Sequence, residues 1–254
     1  MIQNFVISIK TATKRREHIM CEFGKQGIAF EFFDAVTPTD ISKYAQKLSI
    51  PIINNQRLTD GEKACFLSHV ALWQQMIDEN LDYMAIFEDD VYLGNDAACF
   101  IKNDWLYFEF DIIKLETQHE LVHIGKSIHH HGNRTLNPLK STHVGTAGYI
   151  ISQSGAKRLL EFIKSIDEYE YYAIDHVMFG AYLSKGKVLQ LCPALCQQSD
   201  SQIKNLESQL EQDRKNHQYI YHANESLYTK LNKIVKRFYR SFGKRFFYIT
   251  VAFR

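Results

Sequence analysis

Apolar positions along the first half of the chain switch between two spacings. Asn4 to Ile9 (NFVISI) is a short apolar run of strand type, and Thr13 opens a pattern that puts Ile19, Met20 and Phe23 on one helical face, ending near Gly27. A second strand follows at Ile28 to Phe33. Strand, helix and strand in about thirty residues make a βαβ unit, which predicts a parallel sheet with a ligand crevice at the carboxyl ends of its strands.

The stretch LTDGEKACFLSHVALWQQMIDEN predicts a long helix. Thr59 and Glu62 have the spacing of a capping box, Leu72, Trp73, Met76 and Ile77 repeat at helical spacing, and Glu62, Cys65 and His69 fall on one stripe. Next come a strand at Met84 to Phe87, a helical segment around Asp96 to Leu106, and a strand at Asp111 to Leu115. Gln118 to Thr142 is the least regular region; its triple histidine, His129 to His131, lacks a partner cluster at metal-ligand spacing and reads as a solvated loop. HVGTAGYIISQSGAKRLLEFI then gives a glycine-rich approach, a strand at Tyr149 to Ser152 and a helix from near Ser154. A helix around Ile174 and a strand at Val188 to Leu191, closed by Pro193, complete the pattern. This alternation predicts a doubly wound α/β sandwich with a Rossmann-like, mostly parallel sheet flanked by helices.

Composition narrows the reading. With 254 residues, 45% hydrophobic and 23% charged, the chain can bury one full core and shows no disorder signature. A formal charge of +1 gives no argument for nucleic acid. The five cysteines lack CxxC spacing and lie mostly in apolar contexts, as reduced, buried thiols would. The amino terminus reads as a first strand, not a signal peptide, and no stretch reaches the roughly 18 to 20 apolar residues of a membrane span.

The candidate chemistry sits in MAIFEDDVYL, where a hydrophobic strand runs into Glu88, Asp89 and Asp90. Adjacent carboxylates repel unless a cation or hydrogen bonds offset them; capping of a turn or helix start is the simpler way, a divalent cation the chemical one. Side chains alternate along an extended chain, so Glu88 and Asp90 point to one side and Asp89 to the other. Oxygen-only ligands at a strand end suit Mn²⁺ or Mg²⁺, with positions left open for a diphosphate. Ser8 and Lys10 close the first strand, while Arg15 and Arg16 open the first helix, where guanidinium groups can pair with phosphate. Asp34, at the end of the second strand, stands where parallel-sheet enzymes contact base or ribose.

In order, FVISIKTATKRRE, TDGEKACFLSHVALW, AIFEDDV, GTAGYIIS with GAKRLL, and IDH at Ile174 to His176 resemble glycosyltransferase family 25, the bacterial lipooligosaccharide galactosyltransferase-type enzymes. The resemblance covers Ile2 to about Ser201. It implies a GT-A fold, a nucleotide-sugar donor, usually a UDP-hexose, and inverting transfer to a saccharide hydroxyl. Glu88 to Asp90 would then be a DxD-like element: Asp90 the direct metal ligand, Glu88 supporting it or touching the donor, Asp89 on the donor side. Glu62 and His69, matching GE–C–SH, would border the donor pocket. Inversion needs a base beside the acceptor hydroxyl, and Asp175, at a helix start, is the candidate, with His176 as acceptor contact; the plainer alternative is that Asp175 only caps its helix. A late-chain histidine would complete the metal shell; His217 and His222 are present, and that ligand stays open.

The carboxyl terminus has a character of its own. After Glu225 there are no acidic residues, and Lys230, Lys233, Lys236, Arg237, Arg240, Lys244 and Arg245 lie largely between Leu227, Leu231, Ile234, Val235, Phe238 and Phe242 at helical spacing. This predicts a catalytic domain over 1–225 and a basic amphipathic helical tail over 226–254, which either packs on the domain or binds an anionic membrane surface. The expectation is a metal-dependent galactosyltransferase using UDP-galactose and a lipid-linked saccharide acceptor, in the cytoplasm at the inner face of the bacterial inner membrane. A metal-dependent phosphohydrolase and a noncatalytic, membrane-associated sugar-binding protein are the competing readings.

Overall fold

The computed structural model describes residues 2–102, 105–198 and 247–254. Twelve strands and six α-helices are formed by them. In chain order these are β1 (Gln3–Ser8), α1 (Thr13–Gly24), β2 (Glu31–Asp34), α2 (Ile41–Leu48), α3 (Asp60–Asp78), β3 (Tyr83–Glu88), β4 (Val91–Leu93), α4 (Ala97–Phe100), β5 (Ile112–Lys114) and β6 (Leu121–His123). There follow β7 (His129–His131), β8 (Arg134–Pro138), β9 (Gly148–Ser152), α5 (Gln153–Lys164), α6 (Ile174–Met178), β10 (Val188–Cys192), β11 (Cys196–Gln198) and β12 (Tyr248–Thr250).

Among the described residues the central sheet has eight strands in the order β2-β1-β3-β9-β5-β10-β8-β7. Strands β2, β1, β3, β5 and β10 run one way, whereas β9 and β8 run against their neighbours, so the sheet is mostly parallel. Alternation along the strands sends Ile7, Ile86, Ile112 and Ile151 to one face, under Trp73 and Met76 of α3 and Leu159 and Ile163 of α5. Val6, Phe87, Ile113 and Ile150 go to the other face, under Ile19 and Phe23 of α1. The central strands β1, β3, β5 and β9 are therefore apolar on both sides, as burial between two helical layers requires. The expected α/β sandwich is the fold.

Local chemistry sets the helix starts as the sequence implies. Thr59 accepts from the Glu62 N–H at 3.1 Å and Glu62 returns the bond to the Thr59 N–H at 3.0 Å, closing the capping box of α3. Ser152 likewise accepts from the Gly155 N–H at 3.0 Å and caps α5.

Several expectations are corrected. The helix read over Asp96 to Leu106 is one short turn, α4, after which Trp105 folds in and donates to the Phe100 carbonyl at 3.0 Å. Gln118 to Thr142 is not a solvated loop: β8 joins the central sheet beside β10, and β7 forms its edge. His129 and His131 of β7 stack on Trp105, with ring centroids 6.4 and 5.0 Å away. The polar look of β8 comes from Arg134, a fully buried residue whose guanidinium donates to the carbonyls of Pro193, Ala194 and Arg254 and pairs with Asp96. Among the described residues no disulfide is formed, and of the five thiols only Cys196 is buried; Cys21 and Cys99 are exposed.

Most of the expected tail lies outside the described residues. Its last part is a strand, not a helix: β12 pairs antiparallel with β6, and Val251 is buried against Val122 and Ala194. The Thr117 hydroxyl donates to the Val251 carbonyl at 2.8 Å and Ala194 N–H to the Ala252 carbonyl at 2.7 Å. Residues 248–254 are thus built into the fold. Among the described residues no helix is long and apolar enough to cross a membrane.

Candidate active site

The carboxyl ends of β1 and β3 lie side by side, with Ile7 opposite Glu88, because the two strands are parallel neighbours. The three carboxylates at the end of β3 separate as the alternation predicts. Asp89 turns toward β1, accepting from the Ser8 hydroxyl at 2.7 Å and from Arg15 at 2.6 Å. Glu88 and Asp90 share the other side, where one amide nitrogen of Gln198 donates to both, at 3.2 and 3.3 Å. A single neutral donor bridging two carboxylates does not neutralise them. Burial, then Glu88, pushes the Asp90 carboxyl up to about 7, although Arg15 stands 3.6 Å away. Burial alone would also raise Glu88, but His69, the Thr146 hydroxyl at 2.5 Å and Lys114 together hold it below the usual carboxylate range. Against its own burial, Arg15 is kept above the ordinary arginine value by Asp89 and Asp90.

Around this centre the structure sorts the sequence candidates. Arg16 pairs with Asp34 at the end of β2, lies 4.6 Å over the Phe32 ring, and donates to the Ser8 carbonyl at 3.1 Å. Asp34, paired with Arg16 and half exposed, faces solvent at the crevice rim. His69 is fully buried on α3, with Nδ1 2.9 Å from the Tyr149 hydroxyl and Nε2 3.6 Å from Glu88 Oε1. Glu62, expected beside His69 at the donor pocket, has its carboxylate in the capping box two turns earlier, so sharing a stripe did not bring the two groups together.

Asp175 is in the first turn of the short helix α6, and the cap position is Ala173, so Asp175 is not the N-cap. Its carboxylate accepts from the Gly145 N–H at 3.0 Å and from the His176 N–H at 2.8 Å. His176 is exposed beside it. The loop Gly145–Ala147 thus touches both halves of the site: Gly145 holds Asp175 and Thr146 holds Glu88. A fully buried ion pair supports that loop from β5. Lys114 donates to Glu116 at 2.9 Å and to the Gly145 carbonyl at 2.5 Å, and Glu116 accepts from the Ala147 N–H at 3.0 Å. Gly145 has φ +93°, and a Cβ there would stand 2.6 Å from the Glu116 carboxylate, so both backbone and space require glycine.

A conjoined carboxylate pair, a third carboxylate clamped by Ser8 and Arg15, and guanidinium groups at parallel strand ends suit transfer chemistry on a phosphate ester. Residues 1–178 match the family described as Glycosyltransferase family 25 (LPS biosynthesis protein). The chain belongs to glycosyltransferase family 25.

The chain is similar to the Lacto-N-neotetraose biosynthesis glycosyltransferase LgtE of Neisseria meningitidis serogroup B, 40% identical over 84% of this chain and 82% of that protein. The Lipooligosaccharide biosynthesis protein lex-1 of Haemophilus influenzae is 36% identical over 96% of this chain and 92% of its own length. The lic2B protein of the same species, also titled a lipooligosaccharide biosynthesis protein, is 38% identical over 93% and 94% of the two chains.

Four residues of this cluster escaped the sequence reading: Thr146, Gln198, Lys114 and Glu116. Lys114 and Glu116 carried a signal, since DIIKLET places both on one side of an otherwise apolar, buried strand. Gln198 carried none, because it reaches Glu88 only through the pairing of β11 with β4.

Proposed function

We propose that the protein is a metal-dependent, inverting hexosyltransferase that moves galactose from UDP-galactose onto a lipooligosaccharide or lipopolysaccharide acceptor. The observation that carries this reading is the Glu88–Asp90 pair, two half-buried carboxylates bridged by one amide and short of positive charge. Its oxygen-only donors and raised Asp90 fit a hard divalent cation, Mn²⁺ or Mg²⁺, held by Asp90 with Glu88. Such an ion, when bound, supplies Lewis-acid stabilisation of the departing diphosphate.

The chain's own residues do the rest. Arg15, anchored by Asp89 and Ser8, presents guanidinium charge toward the diphosphate, and Arg16 with Asp34 lines the nucleoside side. Asp175 takes the proton of the acceptor hydroxyl as its oxygen attacks the anomeric carbon; the bond from that carbon to the diphosphate breaks, and the nucleoside diphosphate leaves. Two backbone N–H groups keep Asp175 aimed. His176 is the acceptor contact. The similarity to lipooligosaccharide biosynthesis proteins supports a lipooligosaccharide acceptor.

Because that acceptor is lipid-linked, the basic stretch at 226–246 is read as an anionic-membrane contact that raises local acceptor concentration. Replacing Lys233, Lys236 and Arg237 by Glu should lower sedimentation with anionic vesicles; unchanged sedimentation removes the membrane element.

The deciding experiment is a mass-spectrometric transfer assay with Mn²⁺, a panel of UDP-hexoses, and lactose-like or truncated lipooligosaccharide acceptors. One hexose added from UDP-galactose is the expected product. Asp90→Asn should lose metal-supported donor binding, whereas Asp175→Asn should keep donor binding and lose about 10²- to 10⁴-fold in turnover. Silence across the panel, or full transfer by both variants, sinks the reading.

A further inference from the structure

One buried nitrogen beside the site has no partner. His69 Nε2 makes no hydrogen bond among the described residues, and Glu88 Oε1, at 3.6 Å, is beyond hydrogen-bond reach. An orphaned buried polar atom is a standing penalty, which a ligand there would relieve.

The other ring nitrogen is already fixed. His69 Nδ1 lies 2.9 Å from the Tyr149 hydroxyl oxygen, which also accepts from the Trp73 indole N–H at 2.9 Å. The tautomer with the N–H on Nδ1 leaves the Nε2 lone pair for an incoming cation. A fixed second nitrogen of this kind is the usual support of a metal-binding histidine. Cys65 precedes His69 by one helical turn on α3 and shares its face. A sulfur of Cys65, an imidazole nitrogen of His69 and a carboxylate oxygen of Glu88 all lie within 4.8 Å of one another.

This position differs from the pair that faces the donor. Glu88 Oε2 meets Gln198 on the Asp90 side, whereas Oε1 faces Thr146 and His69. One carboxylate thus looks two ways. The outer side offers oxygens alone, and the inner side offers sulfur, nitrogen and oxygen, a donor set that favours zinc over magnesium or manganese.

We propose that Cys65, His69 and Glu88 bind one borderline-soft divalent cation of the zinc class, with a fourth position left open. On binding, the Cys65 thiol releases its proton to solvent and the thiolate ligates. Occupancy draws Glu88 charge inward and away from Asp90, so the ion inhibits transfer; this second part rests on the function proposed above.

The probe is Co²⁺, titrated into the reduced, full-length protein without Mn²⁺. A sulfur-to-cobalt charge-transfer absorption should saturate at about one equivalent, as a single three-ligand site requires. It should vanish in Cys65→Ser and in His69→Gln and persist in Asp90→Asn, each checked for native circular dichroism. No absorption in the unmodified protein, or an undiminished one in Cys65→Ser, overturns the site. In the Mn²⁺-supported assay, Zn²⁺ should inhibit the unmodified protein at concentrations about tenfold lower than Cys65→Ser, the scale on which ligand changes act; equal inhibition overturns the competition. The cobalt readout needs no turnover, so its failure leaves the Asp90→Asn and Asp175→Asn outcomes standing, and failure of those leaves the cobalt result standing.

Discussion

The backbone N–H of Gly145 reaches the Asp175 carboxylate at 3.0 Å, and the next residue along that loop holds Glu88. The two carboxylates are therefore joined through Gly145–Ala147, whose backbone is held by the buried pair of Lys114 and Glu116.

Gly145→Ala should weaken the enzyme by two routes. The φ of +93° disfavours any side chain, and the new Cβ would meet Glu116 at 2.6 Å. A loss of about 1–3 kcal/mol in urea unfolding is expected, with a turnover defect larger than any change in KM for the donor. Unchanged turnover would mean that the loop does not aim Asp175.

Lys114→Met leaves Glu116 buried without its cation, and burial already pushes that carboxyl up. The cost should be about 3 kcal/mol in chemical denaturation. Adding Glu116→Gln should recover much of it, because the uncompensated charge is gone. A double variant no more stable than the single would show that packing, not charge, sets the cost.

Acid stability should report His143. This residue is buried with Nδ1 2.8 Å from the Gln190 amide oxygen, and burial, then Lys114, lowers its pKa from 6.5 to about 3. Between those values the unfolded chain binds a proton that the folded chain refuses, so stability falls as pH falls from 6.5 toward 3. By linkage the loss is about 2 kcal/mol at pH 5. His143→Gln should flatten this slope in denaturation curves at pH 7 and pH 5; an unaltered slope would place the titration elsewhere.

The chain terminus should behave as core. Val251→Asp buries an unpaired carboxylate between Val122 and Ala194 and should cost about 3 kcal/mol or more. Deleting 248–254 should be comparably damaging, since β6, Thr117 and Arg134 lose their partners. A truncated protein with an unshifted melting temperature would make β12 dispensable.

The sequence by itself determined the helical and strand periods, the capping box at Thr59, the burial of strands on both faces, and the split of Glu88 and Asp90 from Asp89. All of these follow from neighbours within a few residues, where spacing and propensity act directly. Tertiary structure decided what depended on distant partners. Arg134 makes β8 look like a loop because the carbonyls that satisfy it come from residues 193, 194 and 254. Glu62 shares a stripe with His69, yet its carboxylate is taken by Thr59. Gln198, Thr146 and the Lys114–Glu116 pair enter the site only when β11 pairs with β4, β9 with β3 and β5 with β9. A side chain's role is set by which charges and orphaned hydrogen-bonding groups surround it after folding, and linear spacing reports those groups only when they lie on the same element.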